Sequence, residues 1–260
     1  MANNPPSGAV IDYYLPAEAV KVTLEVRDGT GKLVRGYVSG ERRAEGGPPL
    51  PIAERWLPKP AVLETTPGMH RFVWDLRWSS AGIGDAVDEE TGIEGGPKVA
   101  PGYYQVDFTV DGAKLGTAVT VKMDPRSNAT ASELAEQQRL GVEILAVTLR
   151  VRRAQEQIKA SKERLANLKE KLTGQPQIQV ERMVSEIAEI EKGTPDAMGL
   201  TTAASGLQSA LRVVEGGDRT TPQQALEVYR ISSEAAEVRI AEWDKLKSGK
   251  LAEFDNGQGK

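Results

Sequence analysis

Carboxylates are the residues of this sequence that could perform acid–base chemistry. Asp75 follows Trp74 directly, and further acidic residues lie in the next glycine-rich stretch: Asp85, Asp88, Glu89, Glu90 and Glu94. A glycosidase needs two carboxyl groups held roughly 5 to 10 Å apart, one of them with a raised pKa. A glycine-rich loop does not hold such a pair rigidly, so we predict no catalytic residue. A glycoside hydrolase that uses Asp75 and these loop carboxylates is kept as an alternative.

Metal ligands are scarce in the chain. It has no cysteine and one histidine, His70, which removes thiol nucleophiles and zinc–thiolate sites and nearly excludes transition-metal sites. The segment Asp88-Glu89-Glu90-Thr91-Gly92 lacks the alternating ligand spacing of a calcium-binding loop. We therefore predict no metal site and no cofactor, and a structural or solvent-facing role for His70.

Aromatic side chains are the remaining candidates, because flat rings stack on sugars and anchor protein partners. The alternation of apolar residues places Trp74 with Phe72 on the core face of a strand. Trp56 and Trp78 lie at the edges of irregular stretches, and with Tyr103 they are the residues predicted to contact a ligand or partner. A carbohydrate-binding module that uses exposed tryptophan is therefore a second alternative.

Charge and hydropathy argue against several other classes of function. The 260 residues carry a net charge of -4, which argues against a nucleic-acid partner, since no large basic surface is implied. No apolar stretch approaches the ~20 residues that cross a bilayer, so we expect no membrane span. The first residues, Met1-Ala2-Asn3-Asn4-Pro5-Pro6, lack the basic and apolar regions of a signal peptide.

The first half of the chain, residues 1–126, is predicted to be an antiparallel, immunoglobulin-like β-sandwich. Apolar and polar residues alternate with period two along Val20, Val22, Leu24 and Val26, and Asp28-Gly29-Thr30-Gly31-Lys32 turns the chain into a second strand at 33–38. Further strands are expected at 70–76, with Leu76 on the face of Trp74, and at 103–110 and 117–123. Irregular insertions are expected at about 40–67 and 79–101, which are rich in glycine and proline.

The second half, residues 127–260, is predicted to be an up-and-down helical bundle. Thr130-Ala131-Ser132-Glu133 has the form of a capping box, and one long first helix from 131 to about 172 follows it. Its heptad seam repeats at spacings of about four and three residues: Leu140, Ile144, Val147, Val151, Ala154, Ile158, Ser161, Leu165, Leu168 and Leu172. Self-association through this seam is kept as a third alternative.

Three shorter apolar stripes follow the long helix. They predict a second helix through Val180, Met183, Ile187 and Ile190, a third through Leu200, Ala204, Leu207, Leu211 and Val214, and a last one through Leu226, Tyr229, Ala236, Ile240 and Trp243. A second capping box at Thr221-Pro222-Gln223-Gln224 is expected to open the last helix. Short links between these helices favour antiparallel neighbours.

Several motifs resemble known families. Those of the first half are Val22-Thr23-Leu24-Glu25-Val26, Gly31-Lys32-Leu33-Val34-Arg35, the segment 68–75 and Pro101-Gly102-Tyr103-Tyr104. They resemble the immunoglobulin-like module of the flagellar hook-capping type. The segments 4–15 and 67–77, Asp124-Pro125-Arg126 and the closing Trp243 are similar to the C-terminal region of large bacterial sortilin-like proteins with BNR-repeat propellers, which are often called glycosyl hydrolases.

This second resemblance covers nearly the whole chain and implies a supporting role. It implies a secreted or periplasmic parent protein whose propeller or catalytic domain is the partner of this piece, and it assigns any sialidase-like chemistry to that propeller. The BNR pattern Ser-x-Asp-x-Gly-x-x-Trp does not occur in this sequence. The leading hypothesis is therefore a non-catalytic accessory module that packs on a propeller or catalytic domain.

Overall fold

The computed structural model describes residues 8–40, 62–79 and 96–254. In these residues an antiparallel β-region precedes a helical region, which confirms the coarse architecture predicted from the two hydrophobic periodicities. The strands of the β-region are β1 (Ala9–Leu15), β2 (Val22–Asp28), β3 (Leu33–Val38), β4 (Gly68–Trp74), β5 (Gly102–Val110) and β6 (Ala113–Val121). Strands β1 and β4 form one sheet, and the other sheet has the order β3-β2-β5-β6.

The strands differ from the prediction at several places. Leu76 lies beyond the end of β4 with a φ of 57°, so the alternation that joins Phe72 and Trp74 does not continue to it. Strand β6 begins at Ala113, directly after a two-residue turn, rather than at Thr117. Strand β1 was not predicted at all, because its apolar residues run together instead of alternating.

Aromatic rings fill the space between the two sheets. Trp74 of β4 meets Tyr104 of β5 with ring centroids 5.3 Å apart, and Phe72 of β4 meets Tyr37 of β3 at 4.6 Å. Phe72 and Trp74 are almost fully buried. Edge-to-face contacts of this kind add to the energy of apolar burial, so these rings form the core that the alternation predicts.

The helical region contains four helices in the described residues. They are α1 (Ala131–Lys169), α2 (Gln175–Lys192), α3 (Leu200–Val214) and α4 (Gln223–Leu246). A short hairpin of β7 (Gly193–Thr194) and β8 (Ala197–Met198) joins α2 to α3, and a π-helical turn, Lys247–Leu251, follows α4. The predicted long first helix is present and ends three residues before Leu172.

The two predicted capping boxes have different outcomes. At Thr130 the box is confirmed, because the Thr130 N–H donates to Glu133 Oε2 at 2.7 Å and the Glu133 N–H donates to Thr130 Oγ1 at 3.2 Å. The box at Thr221 is wrong: α4 is preceded by Pro222, and no side chain caps it. The Thr221 hydroxyl is buried and has no hydrogen-bond partner within the described residues.

The buried positions of the shorter helices follow the predicted stripes in part. In α2 they are those predicted, Val180, Met183, Ile187 and Ile190. In α3 the small residues Ala203 and Ala210 are buried in place of Ala204 and Leu211. The reason is close packing of α3 on α4, since a Cβ on Gly206 would lie 2.0 Å from Ser232 Oγ. Close approach of two helices selects small residues at the contact, which apolar periodicity alone does not reveal.

The chain divides into two compact units. One contains Met1–Val142 and Asp218–Thr220, and the other contains Glu143–Gly217 and Thr221–Lys260. The predicted boundary at residues 126 and 127 precedes α1, whereas the compact units divide inside α1. The first turns of α1 belong to the β-containing unit, in which Gln138 Oε1 accepts the Ala100 N–H at 2.6 Å.

Candidate interaction surfaces

Trp78, predicted to contact a ligand or partner, is buried beside β3. Its exposed fraction is 2%, and Lys32 Nζ lies 4.9 Å from its ring centroid. The Trp78 N–H of the main chain donates to the Pro97 carbonyl, while the buried indole Nε1 has no hydrogen-bond partner within the described residues. Burial withholds the ring from solvent, which disfavours a sugar-stacking role for Trp78.

Arg35 holds the segment around Trp78 in place, and sequence analysis does not single it out. Its side chain is buried, and its Nη1 donates to the Trp78 carbonyl at 2.9 Å. Its Nη2 lies 3.8 Å from Asp75 Oδ2, and its guanidinium lies over the Tyr37 ring. Burial raises the pKa of Tyr37. The position of Arg35 on the same strand face as Tyr37 is the signal that could have indicated it.

Asp75 has structural partners in this arrangement. Besides the contact with Arg35, its Oδ1 accepts the Arg77 N–H at 3.2 Å. The loop carboxylates proposed as its catalytic partners lie outside the described residues. His70 Nε2 lies 2.6 Å from the Thr66 carbonyl, and its ring packs 5.2 Å from that of Tyr13. Among the described residues no group of three histidine or acidic side chains could hold a metal ion.

The other two predicted contact residues are not brought to Trp78. Trp56 lies outside the described residues. Tyr103 is 58% exposed and belongs to β5, which β2 separates from β3. The described residues therefore offer Tyr103 alone, rather than a joint aromatic platform with Trp78.

An exposed apolar surface lies elsewhere, on the outer face of the sheet formed by β1 and β4. Tyr14 and Met69 are directly opposite each other, with exposed fractions of 64% and 71%. Val10 and Val73 form a second apolar pair on the same face, and Val10 is 42% exposed. We call these four residues the β1/β4 surface. The outer face of an antiparallel sheet is usually polar, so two outward apolar pairs make this face a candidate contact surface.

An ion pair stands between the two apolar pairs of the β1/β4 surface. Arg71 donates to Asp12 through two nitrogens, Nε to Oδ1 at 2.8 Å and Nη2 to Oδ2 at 3.0 Å. The hydrogen bonds from Arg71 lower the pKa of Asp12, and the carboxylate in turn raises the pKa of Arg71. The bidentate geometry fixes the direction of both side chains across the two strands.

Tyr13 decides which tyrosine of β1 reaches that surface. Its ring packs 4.7 Å from that of Phe108 on β5, and its hydroxyl accepts the Glu64 N–H at 2.7 Å and donates to the Glu64 carbonyl at 3.0 Å. Because successive side chains of a strand point to opposite faces, burial of Tyr13 directs Tyr14 outward. Burial raises the pKa of Tyr13.

The helices divide into a buried seam and an exposed stripe. The seam of α1 predicted to mediate self-association is buried at Ile144, Val151, Ile158 and Leu165. The seam residues Ser161, Leu168 and Leu172 are half-buried. Helix α4 instead leaves three β-branched residues exposed, Val228, Ile231 and Val238.

Comparisons with protein-family models, with curated proteins and with solved structures give no match for this chain. No helix among the described residues is both long and apolar enough to cross a membrane.

Proposed function

We propose that this chain is a non-catalytic accessory module of a larger, secreted or periplasmic, sortilin-like protein with BNR repeats, and that it binds the propeller domain of that protein. The observation that carries the interaction role is the β1/β4 surface. Tyrosine, methionine and arginine are enriched in protein interfaces, and here Tyr14, Met69 and Arg71 lie together on one exposed sheet face. The choice of the propeller as partner rests on the resemblance of the motifs.

An immunoglobulin-like sandwich is the fold that we propose for the β-region. The pair β1-β4 corresponds to strands B and E of one immunoglobulin sheet. The order β3-β2-β5-β6 corresponds to strands C′, C, F and G of the other sheet. Tyr104 adds support, because it lies near the start of β5 and its hydroxyl donates to the Ala100 carbonyl four residues upstream at 2.7 Å. The tyrosine corner of immunoglobulin domains has this geometry at the start of strand F.

For the helical region we propose an up-and-down bundle. The links from α2 to α3 and from α3 to α4 are short, and short links place consecutive helices side by side in opposite directions. Arg239 of α4 supports the arrangement, since it is buried and its Nε donates to the Met198 carbonyl in the link before α3 at 3.0 Å.

The experiment begins with the reading frame that precedes residue 1 in the genome, which should encode BNR repeats. The propeller encoded there is produced separately and titrated with this chain by calorimetry. We expect binding, and we expect the double variant Tyr14→Ser, Met69→Ser to weaken it about 10-fold or more, because exposed aromatic and methionine anchors dominate such interfaces.

Tyr103→Ser is the matched control for the loss of an exposed tyrosine. It lies on the other sheet and should leave the affinity for the propeller unchanged. A reading frame without a propeller would refute the parentage. Equal binding by the wild type and the double variant would show that the β1/β4 surface is not the interface.

The two alternatives with sugar substrates are tested on the same protein. A glycosidase would turn over aryl glycosides and would lose that activity in Asp75→Asn, whereas we expect no turnover above a blank, because Asp75 is engaged by Arg35 and Arg77. A carbohydrate-binding module would change its tryptophan fluorescence on titration with oligosaccharides. We expect no change that depends on Trp78, whose ring is covered.

A further inference from the structure

Strand β6 is an edge of the four-stranded sheet, and its side chains are open on both faces. None of its nine residues is buried. Leu115 is 68% exposed although it pairs with Phe108 and shares the face of the buried core residues Val106 and Tyr104. The core-facing side of the sheet is therefore buried at β5 but exposed at β6, where it carries the apolar side chain of Leu115.

Within the part of the chain that the structure describes, β6 lacks the features that normally protect a sheet edge. Such edges are kept short, bulged, covered, or marked by proline and charge. Strand β6 pairs with β5 along all nine residues without a register shift, contains no proline, and has Lys114 as its one charged residue. The opposite edge of the sheet, β3, does have such features. It is only six residues long, its Val34 carbonyl accepts a hydrogen bond from the Ser79 N–H, and its pairing with β2 contains a register shift.

The turn before β6 determines which backbone groups face the open edge. Asp111 and Gly112 have φ values of 49° and 91°, as in a type I′ turn, whose flanking residues Val110 and Ala113 exchange both hydrogen bonds. The Asp111 N–H accordingly bonds in the other direction, to the Lys21 carbonyl. Because the pattern alternates along an antiparallel strand, four residues direct their N–H and C=O groups outward: Lys114, Gly116, Ala118 and Thr120.

We propose that β6 pairs antiparallel with β6 of a second copy of this chain, about a two-fold axis at Thr117. In this register the four residues with outward N–H and C=O groups lie opposite the same four residues of the second copy. All eight of these groups on each strand therefore form hydrogen bonds. The register also extends the apolar row of the core-facing side from one copy into the other. The cross-strand pairs are Lys114 with Thr120, Leu115 with Val119, Gly116 with Ala118 and Thr117 with Thr117.

Charge disfavours a neighbouring register of the same pairing. In the register centred on Thr117, no charged residue stands directly opposite a like charge. A shift of the centre to Ala118 places Lys114 opposite Lys122, which is unfavourable across a strand pair. The edge is thus complementary to itself in the register of greatest overlap, and it supplies its own apolar partner in Leu115 and Val119.

Sedimentation of the full chain tests the pairing. We expect a concentration-dependent species of twice 28.1 kDa. Thr117→Lys and Thr117→Glu should each sediment as a monomer, because each variant places two like charges opposite each other at the axis. An equimolar mixture of the two variants should restore the dimer, since a lysine then faces a glutamate. This rescue depends on the proposed register and on the partner being a second copy.

Thr202→Lys on the exposed side of α3 is the matched control and should dimerise like the wild type. Hydrogen exchange adds a local measurement: the amides of Lys114, Gly116, Ala118 and Thr120 should become protected as the concentration rises. A wild type that stays monomeric up to about 1 mM would overturn the proposal. So would a Thr117→Lys variant that dimerises as the wild type does, or a mixture of the charge variants that stays monomeric.

Discussion

Tyr103 and Tyr104 are neighbours in the sequence with opposite surroundings. Tyr104 is buried against Trp74 and its hydroxyl donates to the Ala100 carbonyl, whereas Tyr103 points to solvent from the other face of β5. The alternation of side chains along a strand separates them completely. A shift of one residue along the strand therefore separates Tyr104, which stabilises the fold, from Tyr103, which is available for contacts.

Removal of the Tyr104 hydroxyl should destabilise the β-region. We expect Tyr104→Phe to lower the free energy of unfolding by about 1 to 2 kcal/mol, because the Ala100 carbonyl loses its partner in a partly buried site. Tyr103→Phe removes an exposed hydroxyl and should change the stability by less than about 0.5 kcal/mol. Urea unfolding of both variants measures the difference. Equal stability of the two would show that the Tyr104 hydrogen bond does not stabilise the fold.

Ionisation of Tyr104 should also weaken the fold at high pH. Burial is the main cause that raises the pKa of Tyr104 to about 12. An unfolded tyrosine titrates near pH ~10, so the unfolded chain releases this proton first. The stabilising contribution is complete below about pH 10 and is lost as the pH rises through about 12. Urea unfolding at a series of alkaline pH values should show a decline that is smaller in Tyr104→Phe.

At the scale of the element, α4 presents a buried and an exposed side. Its buried residues are Ala225, Ser232, Ala236, Arg239, Trp243 and Leu246, which include a serine and an arginine. Tyr229 and Ile240, which belong to the predicted apolar stripe of this helix, are only half-buried. Small residues on the buried side allow α3 to pack closely against α4. Arg239 is also buried there and donates a hydrogen bond to the Met198 carbonyl in the link before α3.

Trp243 should supply a large share of the stability of the helical region. Its indole is 1% exposed, and its Nε1 donates to Gln157 Oε1 at 3.0 Å. We expect Trp243→Ala to cost about 3 to 5 kcal/mol, since it removes a large buried side chain. Val238→Ala, on the exposed side of the same helix, should cost less than about 0.5 kcal/mol. A loss for Trp243→Ala as small as that for Val238→Ala, measured by urea unfolding, would contradict its burial.

At the scale of the whole molecule, the chain is organised as two compact units, each with its own core. Separate cores in one chain lead us to expect semi-independent folding. The β-containing unit extends into the first turns of α1, where Gln138 accepts the Ala100 N–H and Leu134 is buried.

Fragments test this organisation. We expect residues 1–126 to melt cooperatively with a β-type circular dichroism spectrum, and residues 1–142 to melt about 2 to 8 °C higher, because the added turns of α1 contribute roughly 1 kcal/mol through Gln138 and Leu134. A soluble but unfolded fragment 1–126, beside a folded fragment 1–142, would move the boundary of the β-domain into α1.

The sequence by itself determined the kind, number and order of most elements. Period-two alternation identified β2 and β5, and the stripe of α2 was predicted at all four buried positions, because local periodicity follows directly from the geometry of strands and helices. Strand β3 was predicted from the glycine-containing turn that follows β2. Thr130 and Glu133 lie within one helical turn, so their capping box could also be predicted from the sequence. Each of these features depends on residues that are near one another in the chain.

Only the tertiary structure decided which surfaces are open. Trp78 is buried, and its carbonyl accepts a hydrogen bond from an arginine 43 residues away. The β1/β4 surface depends on pairing between strands whose residues are as far apart as Asp12 and Arg71. The exposure of β6 likewise reflects where the second sheet ends, which no local pattern records. Burial is set by what lies across space from a side chain. A sequence pattern can therefore predict that a residue faces one side of a strand, but not whether that side is covered.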